Sequence, residues 1–227
     1  MAASVWRSRK GRKAVRKSAP ADLWAIENEI AAEGFFSVCG VDEAGRGPLA
    51  GPVCAAAVIL PRGLVIDGLN DSKKLTPKRR EALYPLITEQ ALSYGIAFAS
   101  VAEIETLNIL NASMLAMARA IAKLSPQPAL ALIDGNCKRN IPVPCRTIIR
   151  GDARCASIAA ASVLAKVARD RLMIELDRKY PEYGFAAHKG YGTKAHYAML
   201  DKYGPCALHR PSFLKKYYAG GGAWKQN

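Results

Sequence analysis

The chain has 227 residues, half of them hydrophobic, and 33 lysines and arginines stand against 19 aspartates and glutamates for a formal net charge of +14. That is enough apolar material for one sizeable core and excludes a chain disordered throughout, while the positive excess points to a polyanionic partner, nucleic acid or an anionic membrane surface. No apolar run reaches the roughly 18 residues of a spanning helix and the basic start lacks the apolar stretch of a secretory signal, so no membrane anchor is expected.

Residues 1–20 carry Arg7, Arg9, Lys10, Arg12, Lys13, Arg16 and Lys17 with no acid. This basic tail is expected to be disordered, serving as a solubilising extension, as an aid to nucleic-acid binding through counterion release, or as a mitochondrial-type address. Asp22 can cap a helix over 23–32 that Gly34 ends. Apolar runs at 35–41 and 52–60, separated by Gly45, Gly47 and Gly51, predict a hairpin, and the second run is apolar on both faces, as a strand covered on both sides must be. A loop over 61–76 holds Asn70-Asp71-Ser72-Lys73-Lys74-Leu75-Thr76, and Thr76-Pro77 opens a helix reaching about residue 93. A strand at 95–101 follows, then an amphipathic helix at 104–124 with Leu107, Leu110, Met114, Met117 and Ile121 at core spacing. Strands at 129–136 and 145–150 each run into an acid, Asp134 and Asp152. An alanine-rich helix is expected over 156–179, then a basic, helix-rich stretch to Pro211 and a frayed end at Gly220-Gly221-Gly222.

This alternation predicts an α/β fold, a mixed sheet flanked by helices with a C-terminal helical region, in one domain over 21–215 followed by a flexible tail at 216–227. Asp42, Glu43, Asp134 and Asp152 all fall at or just after the C-terminal ends of apolar strands. If the strands bearing Asp42 and Asp134 are adjacent and parallel, their acids meet at the sheet edge where open α/β folds place ligands. Ionised carboxylates there cost several kcal/mol unless compensated, and a hard cation is the natural partner. Oxygen ligands select magnesium, manganese or calcium over zinc or copper. Each acid alone reads as a strand-end cap; four in a basic chain favour a metal site. The six cysteines form no C-x-x-C pair and several sit in apolar segments, pointing to a reducing, cytoplasmic setting. His188, His196 and His209 lack zinc-like spacing.

The segments G-V-D-E-A-G-R-G-P-L-A-G-P-V at 40–53, N-D-S-K-K-L-T at 70–76, L-I-D-G-N at 132–136, G-D-A-R at 151–154, A-S-V-L-A-K-V-A-R-D at 161–170 and H-K-G-Y-G-T at 188–193 together resemble the ribonuclease HII family, in order and spacing, from about residue 35 to 214. A head of about 34 residues is too short for the substrate-binding domain of the related type III enzymes. The resemblance implies an RNase H-like fold and a monomeric endonuclease that cuts the RNA strand of RNA/DNA hybrids and nicks 5′ to single ribonucleotides in duplex DNA, using Mg2+ or Mn2+. Mapped by motif, Asp42, Glu43, Asp134 and Asp152 are its four acids. Two cations about 3.5–4 Å apart can activate water and stabilise the leaving 3′ oxygen, with Asp42 bridging, Glu43 and Asp134 completing one ion and Asp152 helping to hold the other. The resemblance gives Gly45, Arg46 and Gly47 main-chain contact with a 2′-hydroxyl and its phosphate, and Tyr191 a stacking role at the junction. Ser72, Lys73, Lys74, Lys166, Lys189 and Arg210 are candidate phosphate contacts. Other RNase H-like nucleases, such as a Holliday-junction resolvase or a transposase core, share the acids but not the G-R-G turn or the K-G-Y-G-T segment. A basic RNA-binding protein with purely structural acids is the non-enzyme alternative.

Overall fold

The computed structural model describes residues 22–220; the expected basic tail and the last residues of the chain, 221–227, lie outside the described residues. Five strands form one sheet: β1 (Val38–Ala44), β2 (Val53–Ile59), β3 (Ser93–Ala99), β4 (Leu130–Asp134) and β5 (Cys145–Ile148), in the order β3-β2-β1-β4-β5. β1 pairs antiparallel with β2 as the glycine-rich hairpin predicts, and β2 with β3 likewise. β1 pairs parallel with β4 in the register Val41↔Ile133, so Asp42 and Asp134 stand one step further along neighbouring strands. That is the adjacency on which the expected meeting of acids depends.

Residue parity assigns the two faces. Cys39, Val41, Val53, Ala55, Ala57, Ala131 and Ile133 pack with Met114, Met117 and Ile121 of helix α3 (Val101–Ala122). Cys54, Ala56 and Val58 pack instead with helix α2 (Pro77–Gln90), through Leu83 and Ile87, and with helix α4 (Ala156–Asp177), through Ala160, Val163 and Leu164. Helix α1 (Ala25–Ala32) adds Ile30 to this second face beside Leu130, Leu132 and Ile158. Alternate residues of a strand face opposite sides, so a strand buried on both must be apolar throughout, as β2 is.

α4 lies unusually close to the sheet. A side chain at Gly40 would place its Cβ 2.2 Å from the backbone of Ser157 and Ile158. The bare glycine and the small residues Ala159, Ala160 and Ala161 permit that approach. Glu27 of α1 secures the N-terminus of α4 by accepting hydrogen bonds from Ser157 N and Oγ, both at 3.0 Å, where a carboxylate also opposes the positive end of the helix dipole.

Element boundaries differ from expectation where capping outweighs apolar periodicity. Ser100 and Glu103 form a capping box, starting α3 at Val101 and ending β3 at Ala99, two residues before the predicted strand end at 101. α3 also breaks at Asn108, with φ 65° and ψ 164°; its side chain accepts from Leu110 N and Asn111 N and so restarts the helix. After α4 come short helices α5 (Phe185–His188), α6 (Lys194–Tyr203) and α7 (Pro211–Ala219). α7 carries helix into the stretch expected as a flexible tail, because Leu214 is buried against Leu49 and Leu200.

Candidate active site

Asp42 and Asp134 share strand parity and project on the α4 side of the sheet, toward Asp152 in the 3-10 turn Gly151–Ala153 that precedes α4. One carboxylate oxygen from each of the three lies within 4.8 Å of the other two. The turn is tied to its neighbour by Gly151 N, which donates to Asp134 Oδ1 at 2.7 Å. Glu43 has the opposite parity, and its Oε1 takes Arg46 Nη1 at 3.2 Å instead. The structure therefore brings together three of the four expected acids and sets the fourth beside the glycine-flanked arginine.

The cluster is electrostatically strained. Burial, followed by the charges of Glu43 and Asp134, holds the Asp42 carboxyl well above the ordinary carboxylate range, against the pull of Glu43 N, which donates to Oδ1 at 2.7 Å. Burial and then Asp152 raise Asp134. Burial also raises Glu43, with Arg46 drawing it back. A cation enters the cluster at Lys73, whose Nζ lies 3.2 Å from Asp152 Oδ2. Burial alone would lower the Lys73 ammonium, but Asp152 and Asp42 raise it overall. An all-oxygen set of crowded, partly compensated carboxylates fits a hard divalent cation.

Beside the acids runs the segment 45–52, held from beneath by two arginines that are 0 % exposed, Arg169 and Arg210. Arg210 donates to the carbonyls of Gly45, Arg46 and Gly51 at 2.7–3.0 Å. Arg169 donates to those of Pro52, Ala50 and Lys189 at 3.0–3.1 Å. Gly45 has φ +103°, and a Cβ there would lie 2.1 Å from Arg169 Nε, so this position requires glycine on both counts. In a trans peptide the N–H points opposite to the preceding carbonyl. With the Gly45 and Arg46 carbonyls bound to Arg210, the N–H groups of Arg46 and Gly47 are directed away from the arginines. Burial, then the neighbouring Arg169, pushes Arg210 down to about 9.

Tyr191 stands next to this turn, 42 % exposed, with Cε1 3.8 Å from where a Cβ of Gly47 would be. Leu49 N donates to Gly190 O at 2.8 Å and stitches the two segments together. Lys166 Nζ lies 5.8 Å from the Tyr191 ring centroid and is bound to Asp170 at 2.6 Å. The other expected phosphate contacts divide. Lys73 and Lys74 are exposed. Ser72 is buried with its hydroxyl 2.6 Å from Ser162 Oγ, and Lys189 turns its ammonium to the carbonyl of Ala186. Arg210 is spent on backbone carbonyls and braces the turn from behind.

The family model described as Ribonuclease HII matches residues 39–216. The chain belongs to the ribonuclease HII family. It is 54 % identical over 188 residues to the ribonuclease HII of Syntrophotalea carbinolica, covering 83 % of this chain and 90 % of that one. It is 61 % identical over 174 residues to ribonuclease HII 1 of Methylibium petroleiphilum, covering 77 % and 88 %. The crystal structure of ribonuclease H2 from Pyrococcus horikoshii matches with a TM-score of 0.66 at 26 % identity, over 82 % of this chain and 98 % of that one. Family membership makes the chain an enzyme, a ribonuclease of the H class.

Sequence reasoning passes over Arg169; Ser162, whose side chain hydrogen-bonds Asp42 and draws its carboxyl down; and the buried His196, with Nδ1 2.9 Å from the Tyr191 carbonyl, backed by His209. Arg169 lies inside the A-S-V-L-A-K-V-A-R-D segment, and an arginine in the middle of an alanine-rich, otherwise buried helix was the signal available. His196 and His209 carry no spacing pattern that marks them.

Proposed function

We propose that this protein hydrolyses the RNA strand of RNA/DNA hybrids and nicks duplex DNA on the 5′ side of an isolated ribonucleotide. The observation that carries the reading is the convergence of Asp42, Asp134 and Asp152 within 4.8 Å, next to a turn whose N–H groups face away from their buried supports. Asp42, Asp134 and Asp152 would hold divalent metal, with Glu43 at the margin under the control of Arg46. Magnesium or manganese held by these residues would supply the positive charge to activate a water and to stabilise the leaving 3′ oxygen.

The protein's own groups do the rest. The N–H groups of Arg46 and Gly47 offer donors to a phosphate or a 2′-hydroxyl, pre-aligned because their peptide planes are already held. Tyr191 presents a ring face for a sugar or base at the junction. Lys73, Lys74, Lys166 and Arg46 supply positive charge along the approaching backbone and position it without reading sequence. The net charge of +14 supports the same kind of partner. The test is a duplex carrying one ribonucleotide, incubated with magnesium or manganese. A nick immediately 5′ to the ribonucleotide, lost on chelation, is the expected result; an intact strand in both metals refutes the reading.

A further inference from the structure

Tyr191 sits between Gly190 and Gly192, which have no side chains of their own to fix the backbone although Ala50 and Tyr197 pack closely on them, and its carbonyl is held on two sides. Thr193 N donates to it at 2.8 Å and His196 Nδ1 lies 2.9 Å from it. His196 is 0 % exposed, and behind it stands His209, 2 % exposed, with the two Nε2 atoms 3.0 Å apart. The proton positions follow link by link. Cys206 N donates to His209 Nδ1 at 2.9 Å, so that nitrogen is an acceptor and carries no proton. The His209 proton is therefore on Nε2, and His196 Nε2 must accept it. The His196 proton is then on Nδ1, aimed at the Tyr191 carbonyl. Every link is satisfied when both rings are neutral, and burial draws each down to about 4, so the order persists at neutral pH. His188 stacks on His196 with centroids 4.3 Å apart; its Nδ1 accepts from Gly190 N at 3.2 Å, a further hold on the same loop.

We propose that His209 and His196 form a proton-ordered relay, from the Cys206 amide to the Tyr191 carbonyl, that sets the angle at which Tyr191 meets the ribonucleotide. Both are positioning residues acting through Tyr191, and the inference rests on the role given to Tyr191 under Proposed function. An apolar core would hold the loop in place but would not orient a peptide plane flanked by glycines. A directional hydrogen bond does, and the second histidine fixes which nitrogen donates it.

The experiment has two arms on the full chain. In the first, kcat/KM is measured on a duplex with one ribonucleotide. His196→Leu is expected to lower it about tenfold, mainly through KM, and His196→Asn, which keeps an N–H near the Nδ1 position, to recover to within about threefold of the parent. Equal damage from both variants, or none from His196→Leu, overturns the proposal. Should His196→Leu fail to fold, His209→Gln against His209→Leu makes the same comparison, since the glutamine amide replaces the Nε2 donor. In the second arm, long-range 1H–15N spectra of the metal-free parent report the tautomers directly. A proton on Nδ1 of His196 and on Nε2 of His209 supports the relay; the reverse tautomer at either ring, or a doubly protonated ring at neutral pH, overturns it whatever the cleavage result. A parent that shows these tautomers but cuts no substrate refutes the nuclease reading instead.

Discussion

Asp42, on the strand that leads into the glycine-rich turn, is 3 % exposed and Arg210, which binds that turn's carbonyls, is 0 % exposed, yet the fold compensates them in opposite ways. Arg210 spends its guanidinium on three carbonyls and needs no carboxylate, because five fixed donors can be saturated by backbone dipoles. Asp42 receives one backbone N–H at 2.7 Å and is faced by further acids that raise it. A buried charge saturated by the protein itself acts as scaffold. Arg210 also has a like charge beside it, Arg169, but its donors are taken by carbonyls; Asp42, crowded by acids and with few donors to its oxygens, is left for a ligand to complete.

The sharpest way to break this contrast is Asp42→Asn. Cleavage should fall by about four orders of magnitude, the scale seen when an enzyme loses a central carboxylate, while hybrid binding measured by anisotropy persists. The same variant should stabilise the metal-free protein at pH 8 by roughly 1–3 kcal/mol. Asp42 and Asp134 have folded-state values raised above their unfolded ones, so their contribution favours folding below the ordinary carboxylate range and is lost as pH rises through the raised values. The metal-free parent should accordingly lose melting temperature relative to Asp42→Asn as pH climbs from about 4; a difference between the two that does not grow over this range contradicts the picture of a strained cluster, since carboxylates held low, such as Glu103, act on both alike. Magnesium at about one hundred times its dissociation constant should restore about 2.7 kcal/mol to the parent.

On the scaffold side, Arg210→Met orphans the carbonyls of Gly45, Arg46 and Gly51 and should cost about 3–5 kcal/mol in denaturant unfolding. A neutral result would mean that water or Arg169 replaces it. Tyr191→Ala should lower cleavage at a lone ribonucleotide by about tenfold to a hundredfold, with a smaller loss on long hybrids; equal losses would remove the junction role. Lys73→Ala has the smallest expected effect. Its side chain is 75 % exposed, so loss of the pair with Asp152 should change metal-free stability by less than about 1 kcal/mol, and a larger change would make Lys73 part of the scaffold.

The hairpin of β1 and β2 and the convergence of Asp42 with Asp134 were legible in the chain, because apolar runs, glycine punctuation and strand-end acids are local features. The position of Glu43 was legible in principle, since neighbours on a strand face opposite sides, but adjacency to Asp42 suggested a shared task. The start of α3 is written in Ser100 and Glu103, three residues before the apolar repeat that predicts a start at 104. Arg210 reads in the chain as a phosphate contact, as an arginine near basic motifs does; nothing around it marks a guanidinium enclosed by carbonyls from residues about 160 positions earlier.

From sequence alone came the class of sheet, the nuclease family and the acids, because each depends on residue type and short-range order. The tertiary structure decided that Asp152 joins Asp42 and Asp134, which cations are spent inside the protein and which histidines meet behind Tyr191. Those depend on strand register, burial and hydrogen-bond partners supplied by distant segments, and no local pattern encodes them.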